Sequence, residues 1–366
     1  MVSSFVAALL ILLIARQAAG YPCTPARRAD CPKPPGGLAL QQVPQFVTVT
    51  WDDAVTSQSY GIVQQILGGL RRRNGCPIPS TYFVTAQDTV PAAVQALYLS
   101  GNEIATHTLT HVKYPSAQEI VGCRDWLVNA TGIPRQRING FRTPFLLHNA
   151  TTRRALAAAG FLYDSSLPDS APSAISPSVR QRAFPYRMDA GIPQTCETGS
   201  CSASERWPLW EVPLWAAADA AGRPIASMDP AGDAFEIYKR ELGWRLGGNR
   251  APLGLFLHAG AESAPERVAQ LRKFVQYAAA QQDVWFVTNQ QLLAWMAQPV
   301  PASTVAAQLG CKPPADIAAG VKACAAFVSD CNFGSWDGRK CRCVCMGEGA
   351  PGGFCRSRMG ECSLSC

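Results

Sequence analysis

From about residue 45 to residue 296 the chain alternates strand-like apolar runs with helix-like stretches. The runs at 45–51, 80–84, 103–105, 137–141, 161–163, 253–257 and 284–287 predict strands. Stretches at 59–73, 116–130, 151–159, 232–246 and 265–280 predict helices between them. This alternation predicts an α/β fold with a parallel sheet and helices outside, and about seven strands predict that the sheet closes into a distorted (β/α) barrel.

Two regions break the pattern. Residues 167–207 are rich in Pro and Ser, carry Cys196 and Cys201, and predict a long loop excursion that forms a wall of a cleft. A proline-containing stretch then leads to a tail with nine cysteines between Cys311 and Cys366, too small for much core and expected to be held by disulfides. The organisation expected is a signal peptide at 1–20, a main domain at 21–298, a linker at 299–310 and a small cysteine-rich C-terminal module at 311–366.

The signal reading rests on an apolar run at 5–15 followed by Ala18, Ala19 and Gly20. That run is about half of the roughly twenty residues a membrane span needs, so no stable membrane insertion is expected after cleavage. Fifteen cysteines fit the oxidising secretory route and a secreted, extracellular or cell-wall protein. Asn129-Ala130-Thr131 and Asn149-Ala150-Thr151 are candidate glycosylation acceptors. The +7 charge is scattered apart from Arg71-Arg72-Arg73, a run expected at a solvated helix end, so nucleic acid is not an expected partner.

Polar reactive groups directly follow apolar runs in four places. These are Asp52-Asp53, His107 with His111, Arg142-Thr143-Pro144-Phe145, and His258. In β/α barrels the carboxyl ends of strands converge on one site, so four distant segments can meet. Both aspartates reach that site only if the backbone turns at Asp52 or Asp53, because neighbours on a straight strand point to opposite faces. His107 and His111 share a face if they lie on a helical turn, a common arrangement for two metal ligands. Two imidazoles and one carboxylate suit a divalent ion such as Zn²⁺, and the spare carboxylate could take a proton from activated water.

These four motifs, in this order, resemble the polysaccharide deacetylases, the NodB-homology domain of carbohydrate esterase family four, over roughly residues 45–296. The resemblance implies Asp52 as general base, Asp53, His107 and His111 as ligands of a divalent metal (most often Zn²⁺, with Co²⁺ or another ion as alternatives), and Arg142 as the residue that orients the base. It further implies that the Phe145 backbone N–H helps hold the oxyanion, that His258 is the general acid and that Leu257 lines the acetyl pocket. Trp51 and Phe145 depart from the family's usual Phe and Tyr. Asp164 is the candidate for the fourth motif, with Phe184 or Trp215 as its aromatic partner. His148, just past the third motif, is expected at the surface, with contact to a sugar as the alternative, and Trp207, Trp210 and Trp215 either stack on sugars or fill core.

Segments 163–166, 184–186 and 210–214 resemble the chitin deacetylases of animals. The resemblance therefore implies hydrolysis of N-acetyl groups from chitin or a related acetylated polysaccharide. The alternatives are an inactive carbohydrate-binding or wall-structural protein, a deacetylase of peptidoglycan or xylan, and a non-haem iron oxygenase, which also uses two histidines and a carboxylate.

Overall fold

The computed structural model describes residues 21–311 and the backbone of three short strands at Phe333–Trp336, Cys341–Val344 and Ser363–Leu364. The expected signal peptide and the remainder of the cysteine-rich module lie outside the described residues. The fold is a distorted, curled β/α half-barrel. Its sheet runs β12-β1-β2-β3-β4-β5-β8-β7, with β13 paired to the first part of β1. The strands are β1 (Gln45–Asp53), β2 (Thr81–Val84), β3 (Glu103–Thr106), β4 (Gly140–Phe141), β5 (Tyr163–Asp164), β7 (Tyr186–Arg187), β8 (Trp210–Glu211), β12 (Leu253–His258) and β13 (Val284–Phe286). All of these neighbours pair in parallel except β7 with β8.

All seven expected strands are present. The two extra members, β7 and β8, have two residues each and arise in and just after the excursion read as loop. Strands that short leave no periodic signature. The same region also forms short pairs outside the main sheet: β6 (Pro168–Asp169) with β9 (Leu214–Trp215), and β10 (Ala217–Ala218) with β11 (Pro224–Ala226).

Strand alternation sorts the core into two layers. On β1 and β12, Val47, Val49, Trp51, Leu253, Leu255 and Leu257 pack outward against the helices. Phe46 and Phe256 face the other way, into a core shared with Phe83, Tyr163 and Trp210. The outer layer is closed by α1 (Ser57–Leu67), α2 (Pro91–Leu99), α3 (Ala117–Thr131), α5 (Ala234–Leu246) and α6 (Pro265–Ala279), with α4 (Ala150–Ala158) and α7 (Asn289–Ala297) completing the set. Several start at side-chain caps: Thr56, Ser116, Asn149, Asp233 and Thr288 each accept a backbone N–H of the first turn.

Helix α1 ends at Leu67, six residues before the expected 73, because Gly68 leaves the helical region and a Cβ there would lie 2.4 Å from Gln64 O. The arginine run therefore follows the helix in a turn. Arg72 is buried, donating to Phe286 O (3.2 Å) and Leu309 O (3.3 Å), and burial lowers its pKa to about 10. The expected solvated helix end is in this respect corrected: Arg72 anchors the far end of the domain. The stretch expected as a linker packs on the barrel through Val305 and Leu309, and Cys76–Cys311 fastens it. Cys23–Cys31 and Cys196–Cys201 are the other disulfides among the described residues, and Cys123 is buried and free. No helix of the described residues is long and apolar enough to cross a membrane.

Candidate metal centre and active site

The sheet register brings the carboxyl ends of the strands level. Asp52 pairs with His258, Asp53 with Val84, Val84 with Thr106, Thr106 with Phe141 and Phe141 with Asp164. Beyond the strand ends the parallel ladder continues, since His107 N donates to Val84 O (2.9 Å) and Arg142 N to Thr106 O (3.2 Å). Neighbouring strand termini thus deliver Asp52, Asp53, His107, Arg142 and His258 to one end of the barrel.

The turn that separates the two carboxylates falls at Asp53, whose φ is 81°. Asp52 Oδ1 accepts from Arg142 Nη1 at 2.6 Å, with both side chains fully buried. Arg142 also donates to Thr50 Oγ1 (2.9 Å), Ser165 O (2.8 Å) and Ser165 Oγ (3.0 Å), and its guanidinium stacks 4.0 Å from the Phe83 ring centre. This arginine therefore fixes one orientation of Asp52.

Asp53 Oδ1 lies 3.1 Å from His111 Nε2 and 3.7 Å from His107 Nε2. Ligand atoms of Asp53, His107 and His111 all lie within 4.8 Å of one another. His107 Nδ1 lies 2.8 Å from Arg142 O, and a carbonyl only accepts, so Nδ1 carries the proton and the Nε2 lone pair faces Asp53. Burial lowers the His107 pKa against the pull of Asp52 and Asp53, which favours this neutral ligand form. Burial works to raise the Asp53 pKa, but the three histidines hold it below the usual value. Asp53 Oδ1 is itself buried without a hydrogen-bond donor. An orphaned carboxylate oxygen facing two imidazole nitrogens fits a divalent cation.

The histidines meet by a different route from the one expected. Residues 107–111 form no helical turn; Thr108 (φ 72°) and His111 (φ 57°) are in the left-handed region, and His111 N donates to Thr108 Oγ1 at 3.1 Å. Left-handed residues gather here: Asp53, Thr108, His111, Tyr114, Phe145, Leu146 and Asp229 belong to these segments. Such backbone is costly for non-glycine residues and clusters at functional sites.

His258 has a partner that the sequence did not reveal. Its Nδ1 lies 2.5 Å from Asp229 Oδ2, and its backbone N–H donates to Asp229 Oδ1 at 2.8 Å. Burial lowers the His258 pKa, but the Asp229 bond and the charges of Asp52, Asp229 and Asp53 outweigh it and raise the value to about 9. Asp164, the expected candidate for this role, is instead enclosed in the interior. It accepts from Ser166 Oγ, and burial raises its pKa to about 6.

Two other candidates are corrected. Leu257 belongs to the helix-side core, because strand alternation turns it away from His258; Phe256 is on the inner side, with the Arg142 guanidinium 5.2 Å from its ring centre. Trp215 is buried, donating from Nε1 to Ala183 O at 2.8 Å, so it fills core, as does Trp210, whereas Trp207 is half-buried. Phe145 does reach the site: its exposed ring lies 4.7 Å from that of His111. His148, expected at the surface, is buried beside Arg153, which donates to its Nδ1 at 2.7 Å; burial and that arginine push its pKa down to about 3. Of the glycosylation candidates, Asn129 is exposed on α3, while the Asn149 side chain caps α4.

The fold and site define a distorted β/α barrel with a candidate divalent-ion centre at the carboxyl ends of its strands. Residues 41–163 match the polysaccharide deacetylase family model. The chain is 28% identical over 298 residues to chitin deacetylase 1 of Bombyx mori, covering 72% of this chain and 53% of that protein. It is 29% identical over 291 residues to chitin deacetylase 8 of Bombyx mori, covering 73% and 74%. The chain thus spans about half the length of the first relative and three quarters of the second. A solved Puue allantoinase aligns over 77% of this chain and 97% of its own at 18% identity and a TM-score of 0.47. Residues 41–163 are thus similar to polysaccharide deacetylases, and the longer alignments make the chain similar in sequence to proteins named chitin deacetylases.

Proposed function

We propose that the protein is a secreted, metal-dependent hydrolase of N-acetyl groups on a chitin-like polymer of N-acetylglucosamine. The observation that carries this reading is the division of labour between adjacent carboxylates: Asp53 Oδ1 faces two imidazole nitrogens, while Asp52 is held apart by Arg142 and sits across the strand pair from His258. Asp53, His107 and His111 would hold the ion, with Zn²⁺ favoured by the mixed nitrogen and oxygen donor set. When bound, a divalent ion would lower the pKa of water towards about 7 and polarise the acetamide carbonyl.

Asp52 then accepts the water proton as the oxygen–carbon bond forms. The Phe145 N–H is assigned to the developing oxyanion. His258 donates its proton to the departing nitrogen as the carbon–nitrogen bond breaks, releasing acetate and leaving a free amine on the sugar. Asp229 keeps that imidazole charged until the transfer. Chitin is favoured over other acetylated polymers by the likeness to two proteins named chitin deacetylases. Secretion is favoured by three disulfides among the described residues.

The test is acetate release from chitin oligomers by purified protein, with and without a chelator, beside peptidoglycan fragments and acetylated xylan. Chelator-sensitive release from chitin oligomers supports the reading. Absence of release from every polymer would leave the binding or structural role as the better account.

A further inference from the structure

The reaction proposed above converts a neutral sugar into a cationic one, and the lip of the site carries a cation of its own. Two loops meet there. Tyr114 N donates to Leu147 O at 3.3 Å, and the His111 and Phe145 rings lie 4.7 Å apart. Tyr114 (φ 48°) and Phe145 (φ 56°) both hold left-handed backbone, and at 51% and 54% exposure they are the most exposed large hydrophobic residues among those described. Lys113, the residue before Tyr114, is exposed, with its Nζ 5.1 Å from the Phe145 ring centre. No carboxylate among the described residues pairs with Lys113.

A cation over an aromatic face is attracted to it, so the ammonium is biased to stay above Phe145, beside the candidate metal ligands. A polymer threaded past this lip brings neighbouring sugars close to Lys113. An acetylated neighbour is neutral and can stack on the exposed rings. A neighbour that has already lost its acetyl group carries a like charge, which is disfavoured near a surface by an amount that falls with salt.

We propose that Lys113 makes the site select against polymer segments that already carry a free amine beside the reacting sugar, so that acetates are removed at spaced positions. This rests on the deacetylase reading and adds to it a determinant of substrate pattern.

The test compares kcat/KM for a fully acetylated oligomer and for one bearing a single internal glucosamine, with product positions read by mass spectrometry. In parallel, calorimetry measures binding of a fully deacetylated oligomer, which cannot turn over. Relative to wild type, Lys113→Gln should raise the partly-to-fully acetylated kcat/KM ratio about three- to tenfold, and Lys113→Glu further. Lys113→Arg, which keeps the charge, should hold the wild-type ratio. Lys239→Gln, which changes an exposed lysine over the Phe235 ring, serves as the control and should not alter it. Raising the salt to 1 M should narrow the wild-type preference, because the screening length falls to about 3 Å. The deacetylated oligomer should bind Lys113→Gln several-fold more tightly than wild type. Equal ratios and equal affinities in wild type, Lys113→Gln and Lys113→Glu would overturn the inference while leaving the deacetylase reading intact. No acetate release from either oligomer would overturn the deacetylase reading and the spaced removal with it, even if a persisting affinity gap showed that Lys113 repels free amines.

Discussion

Asp52 and Asp53 are consecutive residues that face different partners, Asp52 Oδ1 at 2.6 Å from Arg142 Nη1 and Asp53 Oδ1 at 3.1 Å from His111 Nε2. The left-handed φ of Asp53 is what separates them. A buried arginine that fixes one carboxylate, and two imidazoles that claim the other, give an Asp-Asp pair two distinct jobs.

Arg142 is a buried cation whose loss leaves Asp52 without its counter-charge. Arg142→Met should destabilise the protein by about 3–5 kcal/mol, the usual cost of breaking a buried ion pair from one side. Arg142→Lys should retain the charge but lose the multiple donors, giving a smaller loss of stability and a large fall in turnover. Thermal denaturation and acetate release measure both. Equal stability of Arg142→Met and wild type would contradict the buried pairing.

The His258–Asp229 contact predicts a pH dependence with a definite sign. Folded His258 titrates at about 9, against an ordinary value of about 6.5, so its stabilising contribution is full below pH 6.5 and is lost as pH rises through about 9. Activity that needs its proton should fail over the same upper limb. Asp229→Asn keeps an oxygen acceptor for the His258 backbone N–H and removes the charge. The basic limb of the pH–rate profile should then move down towards 6.5, and an unmoved limb would reject the pairing.

Cys76–Cys311 closes a loop of 235 residues and holds the segment around Leu309 against Arg72 and Asn74. Cys76→Ser with Cys311→Ser should cost about 2–5 kcal/mol, read as a lower denaturation midpoint. Because this fastening lies among the 299–311 contacts and involves none of the site residues, kcat should change little. A collapse of kcat without a stability change would contradict that separation.

Much of the barrel was legible because its long strands, β1 and β12, carry apolar runs and end in reactive groups. The chemistry-bearing segments were legible because His107, His111 and His258 occupy three of only four histidine positions in the chain. Asp229 was not, since it lies in an irregular segment before α5 and reaches His258 only through the fold. Leu257 could have been read correctly: period-two alternation already sets it opposite His258 and puts Phe256 on the same side as that histidine. The helical turn expected at His107–His111 failed because i, i+4 spacing also fits a loop with two left-handed residues. Arg72 and His148 look like surface residues by type, and only long-range packing buries them, Arg72 against Phe286 and His148 beneath Ser200 and beside the Arg153–Glu205 pair.

The most direct test pairs metal content with turnover in Asp52→Asn and Asp53→Asn. The account predicts that Asp53→Asn loses bound metal and acetate release together, whereas Asp52→Asn retains the metal and loses the release. Loss of metal from Asp52→Asn to the same extent, or near wild-type turnover in either variant, would contradict it.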